Sequence, residues 1–412
     1  MSTQSPAPPL ERRPRALLLA PESPYPLVGG GALRAASVLE FLTQHYALDL
    51  VVFRQPGAPD PAPLRAHHHI GRLHTIGLPY HARDPVAKAL RNGWRLVKQR
   101  PPLIDRFSGF EADLDRFLDG CRYDLAVIEH FWCAPYLDQL EARSARVVLD
   151  LHNVESVWHQ RCADAEARAA GAWSPVQVAH RVFREACLSL ERAYLPRFAC
   201  VLATSEADAE YVRNIAPGAR VRVYPNALPW RDQPRRSERE IIGFSGSFDY
   251  EPNRVAVRFF AREVWPRLRR QWPALRWRLI GRHAACVANF IAGDPRIECS
   301  GPVDDAIDEL AECKVVVVPL LSGSGTRLKI VEAWAAGRAV VSTTLGAEGL
   351  PGEDGRDLIL ADEPDRFAAA VSALLASPAR RAALGARGRA LFESRLHWAT
   401  VWPLLGSALA LP

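Results

Sequence analysis

"LLSGSGTRLKIVEAWAAGRAVVSTTLGAEGL", residues 320–350, is the stretch on which the fold turns. It continues the apolar run KVVVVPLL (314–321) and reads as a glycine-serine loop, a short apolar helix, a glycine stop and a β-branched strand. Strand, loop, helix, strand is the repeating unit of a parallel α/β sheet. Leu328, Val331 and Ala335 recur at three- and four-residue steps, a stripe suited to facing a sheet. Ser324 or Thr326 is placed to cap the helix, and Gly337 to end it. Arg327 and Lys329 fall in the first turn, where the helix dipole disfavours cations. An anion held between them, at the free N–H groups of the helix start, would resolve that conflict, and a diphosphate has suitable charge. Glu332, ~8–12 Å from such an anion at 1.5 Å per residue, could reach a ribose diol. The competing expectation is a capped surface helix with solvated charges, its Glu332 paired to Lys329.

The same unit recurs along the chain. RALLLA (15–20), ALDLVVF (47–53), YDLAVIE (123–129), ARVVLDLH (145–152) and CVLATSE (200–206) read as strands of one sheet. EIIGFSGSF (240–248), RWRLIGR (276–282), RIECSG (296–301), KVVVVPLL and RAVVSTT (338–344) read as strands of a second. Continuous apolar runs suit strands covered on both faces. The expected architecture is α/β, two doubly wound parallel-sheet Rossmann-like domains facing across a cleft. The boundaries fall at a proline-rich disordered tail (1–14), a first domain (15–227), a polar linker (228–238), a second domain (239–390) and a terminal segment (391–412) that crosses back to the first. Ligands of such folds bind beyond the carboxyl ends of the strands. Gly29, Gly30, Gly31, His152, Ser205, Gly246, Arg282 and the 322–326 loop all lie there.

Bulk composition narrows the class. Nearly half of the 412 residues are hydrophobic, ample for two cores. A net charge of +6 suits an anionic small ligand or an anionic membrane surface, without the dense basic stripe or motif of a nucleic-acid binder. Only four of the 52 basic residues are lysines, Lys88, Lys98, Lys314 and Lys329, so a lysine is the more informative cation here. Eight scattered cysteines without C-x-x-C spacing read as buried thiols in a reducing compartment. No apolar run is long enough to span a bilayer, and the start lacks a signal peptide's apolar core, so a cytoplasmic location is expected.

The 323–350 stretch resembles the donor-site signature of glycosyltransferase family 4, the retaining GT-B enzymes of glycosyl transferases group 1. VYPNAL (223–228) resembles the family's entry to its second domain, and GFSGSFDYEPN (243–253) its first donor-side glycine turn. LIGR (279–282) and CSGPVDD (299–305) resemble the next two strand ends, and LDLHNVES (149–156) the acceptor-domain histidine segment. The resemblance implies a nucleoside-diphosphate-sugar donor, a glycan or lipid-linked hydroxyl acceptor, retention of anomeric configuration and no metal or other cofactor. It implies that Gly246 and Ser247 let backbone approach the phosphates. Arg327, Lys329 and the helix start around Ser324, Gly325, Thr326 and Leu328 would hold the diphosphate. Glu332 would bind the ribose, Arg282 would lie on the nucleotide side, and backbone near Val303 would meet the base. His152 would face the transferred sugar, with Gly29 to Gly31 between donor and acceptor. Two departures stand out. Ser324 occupies the place of the family's first glutamate, and no Arg or Lys follows the first donor-domain strand before Arg254.

Other features have plainer explanations. DLD (113–115) sits in a helix-like polar stretch and suits a solvated face better than a metal. HHH (67–69) lacks nearby carboxylate or cysteine partners. DPVAKALRNGWRLVKQRPPL (84–103) sets Val86, Leu90, Trp94 and Val97 on one stripe among basic residues. It fits either ordinary packing or peripheral contact with an anionic membrane. The expected role is bacterial polysaccharide or glycolipid assembly, with a GT-B sugar-nucleotide epimerase or a nucleotide-sugar-binding protein without turnover as the alternatives.

Overall fold

A computed structural model describes residues 13–80, 84–170 and 174–410, leaving all but the end of the proline-rich tail outside. Two parallel sheets organise the chain. The first contains β1 (Arg15–Ala20), β2 (Ala47–Arg54), β3 (Leu73–Gly77), β4 (Leu125–Glu129), β5 (Val147–Leu151), β6 (Cys200–Ala203) and β7 (Val221–Val223), ordered β3-β2-β1-β4-β5-β6-β7. The second contains β8 (Arg239–Ser245), β9 (Arg276–Ile280), β10 (Ile297–Gly301), β11 (Cys313–Val318), β12 (Ala339–Ser342) and β13 (Ile359–Leu360), ordered β10-β9-β8-β11-β12-β13. Every pairing is parallel. Both sheets start at a central strand, run outward one way and then return to build the other half. That doubly wound order creates a switch point beside β1 and another beside β8.

The chain partitions into two compact units. One holds residues up to Gln160, Val178–Tyr224 and Trp402 onward; the other holds Arg161–Gln177 and Pro225–Val401. The polar 228–238 segment carries only an isolated bridge, Leu228 to His397, and belongs with the second unit. There Trp230 stacks 6.0 Å from Phe392, and Glu238 pairs with Arg338 at 2.9 Å and Arg381 at 2.7 Å. Those contacts give a segment without apolar periodicity a fixed course.

The strands expected from apolar runs lie in the cores. β1, β4, β5, β6, β11 and β12 bury nearly every side chain. Charged residues at the carboxyl ends of two core strands, Glu129 and Asp150, are fully buried. Such groups need partners, and they lead to the site. Six cysteines are buried, but Cys286 and Cys299 are exposed, against the expectation of uniformly buried thiols. Cys299 lies on edge strand β10, whose cover is thin.

Candidate functional site

Two clusters form at the carboxyl ends of the strands, one in each unit. In the second unit, Gly246 and Ser247 follow β8, Arg282 follows β9, Val303 follows β10, and the 322–327 loop follows β11. Two glycine turns press together there. A Cβ on Gly281 would lie 2.0 Å from the Gly246 carbonyl oxygen, and one on Gly246 would lie 2.6 Å from the Asn253 amide nitrogen. Only glycine permits that approach, and Gly246 also has a positive φ of 154°. Asn253 donates to the Ser247 carbonyl at 2.8 Å, and the Phe248 N–H donates to the Arg282 carbonyl at 3.0 Å. The Ser247 hydroxyl donates to Asp249 at 2.6 Å. Arg282 and Val303 are both half-buried or more exposed at the rim of these turns.

The Leu328–Ala335 helix begins differently from expectation. Its N-cap is Arg327, and no side chain caps it. Ser324 and Thr326 are buried within the preceding loop, and the Thr326 carbonyl accepts from Asn226 at 3.2 Å. Gly323 and Gly325 take positive φ, 104° and 76°, so the loop turns there and stays out of helical geometry before Arg327. Their carbonyl directions bring the backbone oxygens of Ser324 and Gly325 onto Nη1 of Arg327. The arginine therefore braces its own loop. Arg161 grips the same loop, donating to the Gly323 carbonyl at 2.9 Å and forming a two-pronged ion pair with Glu348 at 2.6 and 2.7 Å. The far end follows expectation: Gly337 has φ 69°, and the N–H groups of Gly337 and Arg338 return to Trp334 and Ala333. Leu328, Val331 and Ala335 are all buried.

Glu332 does not pair with Lys329. Its carboxylate accepts from the hydroxyl of Ser245, the last residue of β8, at 2.8 Å. Burial raises its pKa, opposed by that hydrogen bond and by Lys329. The Lys329 ammonium lies 5.5 Å over the Phe244 ring. Burial lowers its pKa to about 8, with Glu332 opposing and Arg327 assisting. A half-buried lysine beside an arginine and a helix start is an electropositive, partly desolvated place, which favours an anion.

In the first unit, His152 follows β5. Its Nε2 lies 2.6 Å from a Glu129 oxygen and 3.6 Å from Asp150. Arg34, on the Gly30–His45 helix, fastens Asp150 with contacts of 2.5 to 2.9 Å and donates to the Tyr224 carbonyl at 2.8 Å. The His152 ring stacks on His130 at 3.5 Å, and His130 stacks on Trp132 at 4.0 Å. Gly29 is the helix N-cap with φ 98°, and Gly30 is the first helical residue. A Cβ on Gly31 would lie 2.5 Å from a Glu22 oxygen and 3.5 Å from Nε2 of His130. Gly31 and His152 are thus brought to one cluster through His130.

Burial sets the protonation of this cluster. It lowers His152 to about 3 and raises Glu129 to about 8, against the pull of Arg34. Asp150 rises to about 6 for the same reason, with Arg34 opposing. At neutral pH Asp150 is therefore ionised against Arg34, and the Glu129–His152 contact holds one proton between an acid and a neutral imidazole. The other Glu129 oxygen accepts no hydrogen bond among the described residues. Glu129, Asp150 and His152 bring ligand atoms within 4.8 Å of one another, as a metal site would require. The Arg34 guanidinium already occupies both Asp150 oxygens, so a cation would meet a fixed positive charge there.

Sequence patterns do not single out Glu129, Asp150, Arg34, His130, Ser245 or Arg161. A carboxylate inside an apolar strand run, as in VIE and VVLDL, is the available signal for two of them. In the DLD group Asp113 pairs locally with Arg116 at 3.0 Å, whereas His68 of the HHH group lies 2.8 Å from Glu40 on the Gly30–His45 helix, a carboxylate partner that the sequence neighbourhood does not show.

Residues 239–377 match the family model described as Glycosyl transferases group 1. No curated protein matches the sequence. Among solved structures, sucrose-phosphate synthase (tll1590) from Thermosynechococcus elongatus superposes with a TM-score of 0.70 at 18% identity, covering 96% of this chain and 98% of that one. Alr3699/HepE of Anabaena, solved with UDP and glucose, has a TM-score of 0.64 at 15% identity, covering 97% and 100%. A mutant of TarM from S. aureus, solved with Fondaparinux, alpha-GlcNAc-glycerol and UDP, has a TM-score of 0.67 at 12% identity, covering 96% and 99%. The fold is GT-B, and the second domain is a glycosyl transferases group 1 domain. The match identifies residues 239–377 as a glycosyltransferase domain and covers the donor-side motifs GFSGSFDYEPN, LIGR, CSGPVDD and the 323–350 stretch, while LDLHNVES and VYPNAL lie outside the matched residues.

Proposed function

We propose that this chain, a GT-B protein with a glycosyl transferases group 1 domain, is a retaining, metal-independent glycosyltransferase. It moves a sugar from a nucleoside-diphosphate sugar to a hydroxyl of a glycan or lipid-linked acceptor in bacterial polysaccharide or glycolipid assembly. One observation carries most weight: Glu332 is held by Ser245, away from Lys329, leaving the two groups in separate roles beside a pair of glycine turns. The solved structures from Anabaena and S. aureus hold UDP, which favours UDP as the nucleotide here.

In this proposal the diphosphate lies over the Gly246 turn and the start of the Leu328–Ala335 helix. Lys329 and the helix N–H groups take up the negative charge that develops as the glycosidic bond breaks. Diphosphate contact restores full protonation to a lysine whose pKa is otherwise about 8. Arg327 shapes the loop and adds charge. Glu332 accepts from the ribose hydroxyls, with Ser245 fixing its orientation. Arg282 and the backbone at Val303 lie on the nucleotide side. Ser324, in place of the family's first glutamate, leaves sugar contact to loop backbone and to its own hydroxyl. His152 faces the transferred sugar, oriented by Glu129, with Gly29 to Gly31 at the acceptor side. The leaving phosphate takes the acceptor's proton on the same face, which yields retention.

The test is turnover in chelator. The protein is incubated with UDP-, GDP- and ADP-sugars and glycan or lipid-linked acceptors, and the product anomer is read by NMR. Transfer with retained configuration is expected. An inverted anomer, or strict dependence on a divalent metal, overturns the mechanism. Epimerised donor formed without acceptor identifies an epimerase instead.

A further inference from the structure

The Pro85–Val97 helix presents its apolar stripe outward. Val86 is 69% exposed, Leu90 71%, Trp94 48% and Val97 82%. Their three- and four-residue spacing puts them on one line, roughly 16 Å long at 1.5 Å per residue. The opposite face carries Arg95, which is buried and bonds Asp105 at 2.8 Å. A surface helix of a globular domain ordinarily does the reverse, turning its apolar stripe to the core.

We propose that this helix is a docking surface for an anionic lipid bilayer. Charge selects the occupant. Residues 85–104 contain Lys88, Arg91, Arg95, Lys98 and Arg100 and no carboxylate. Asp105 answers Arg95 and, at 3.8 Å, Arg100. Lys88 and Lys98 are exposed. By helical position, Lys98 and Arg91 border the Trp94 edge of the stripe, and the Arg100 guanidinium lies 5.7 Å from the Trp94 ring centre. A second copy would set this basic face against itself. An anionic headgroup layer accepts the cations while four apolar side chains enter the acyl boundary, and the long basic stems extend back to the phosphates. Tyr80 and Leu103 extend the exposed apolar surface on the flanking segments, which Arg106 ties together through the Pro79 carbonyl at 2.9 Å. No described helix is long and apolar enough to cross a membrane, so the proposed contact is peripheral. This inference stands on the first unit alone and does not depend on the donor-site assignment.

The test is co-sedimentation of the full chain with phosphatidylcholine vesicles and with phosphatidylcholine–phosphatidylglycerol vesicles, at low and high salt. Binding is expected to the anionic vesicles only, weakening with salt. Lys98→Gln with Arg100→Gln, the exposed cations beside Trp94, should lower the partition coefficient on the order of 25-fold, since each cation near such a surface contributes about fivefold. Leu90→Ser with Trp94→Ser should abolish binding while circular dichroism and melting stay unchanged, because both positions are exposed. No binding to anionic vesicles, equal binding to neutral ones, or indifference to both variant pairs overturns the proposal. A dimer in sedimentation velocity that Leu90→Ser with Trp94→Ser dissociates also overturns it, in favour of a second copy.

Discussion

Lys329→Met is expected to stabilise the empty protein and to weaken its hold on nucleotide. The lysine has a pKa of about 8 against a reference of 10.5, because burial disfavours its charge. A depression of that size is worth on the order of 3 kcal/mol against folding at neutral pH. The sign follows from proton counting. Between pH 8 and 10.5 the unfolded chain binds more protons than the folded one, so stability rises with pH. The penalty is complete below pH 8 and disappears toward pH 10.5. Methionine fills similar volume, keeps contact with the Phe244 ring and carries no charge. The melting temperature of the empty protein should therefore rise by about 4 to 10 °C at pH 7. The gain should shrink as pH increases. Binding should move the other way: loss of one charge-assisted contact to a diphosphate is worth about 1.5–3 kcal/mol, or roughly 10- to 150-fold in Kd. Wild-type affinity should also fall above pH 8, while the variant's stays flat. Scanning calorimetry with and without UDP across roughly pH 6.5 to 10 supplies each of these readings. A variant less stable than wild type at pH 7, or one that keeps its affinity, would refute the assignment of Lys329 as a desolvated anion ligand.

Three further outcomes follow from named contacts. Glu332→Gln should weaken UDP binding by about 10- to 100-fold while leaving the affinity for 2′,3′-dideoxy-UDP nearly unchanged, since a carboxylate-to-hydroxyl hydrogen bond is worth roughly 1.5–3 kcal/mol. Arg161→Ala removes the tether on the Gly323 carbonyl and the partner of Glu348, so UDP affinity should drop about tenfold with kcat changed less than KM, read by steady-state kinetics. Glu129→Gln mimics the protonated acid that burial favours, with a pKa near 8. Because a raised carboxyl pKa withdraws stability as pH climbs from 4.5 to 8, the variant's advantage in urea unfolding should grow across that window and level off above it.

Strands are legible where both faces are covered. RALLLA reads as β1 with its observed bounds, because a buried parallel strand must be apolar on both sides. The strands that sequence does not reveal, β3 (LHTIG), β7 (VRV) and β13 (two residues), all sit at sheet edges. An edge strand has fewer buried positions, so its apolar signal is weak or short. β10 is also an edge strand and is legible through the glycine that ends it. The donor-side positions are legible as strand ends, since turn glycines and a helix start leave local marks. Their contacts are not. Whether Glu332 meets Lys329 or Ser245 depends on β8, 87 residues earlier in the chain. The Arg34–Asp150 pair spans 116 residues, and no local pattern encodes it. The cap expected of Ser324 or Thr326 fails for a related reason: Gly323 and Gly325 turn the loop through left-handed backbone, and Arg327 takes the N-cap place. The amphipathic 84–103 segment shows the limit most clearly. Its pattern is plain, but only the structure tells which side the stripe faces.

Titration calorimetry of the purified protein with UDP, GDP, ADP and NAD, in chelator, tests the central claim most directly. It is repeated for the best ligand on Arg327→Ala, Lys329→Ala and Glu332→Ala. One nucleoside diphosphate should bind without metal, with affinity reduced at least about tenfold in the Lys329 and Glu332 variants. Absence of metal-free binding to all four, or binding indifferent to the three substitutions, would mean that the 320–350 stretch is a braced loop and packed helix and not a donor site.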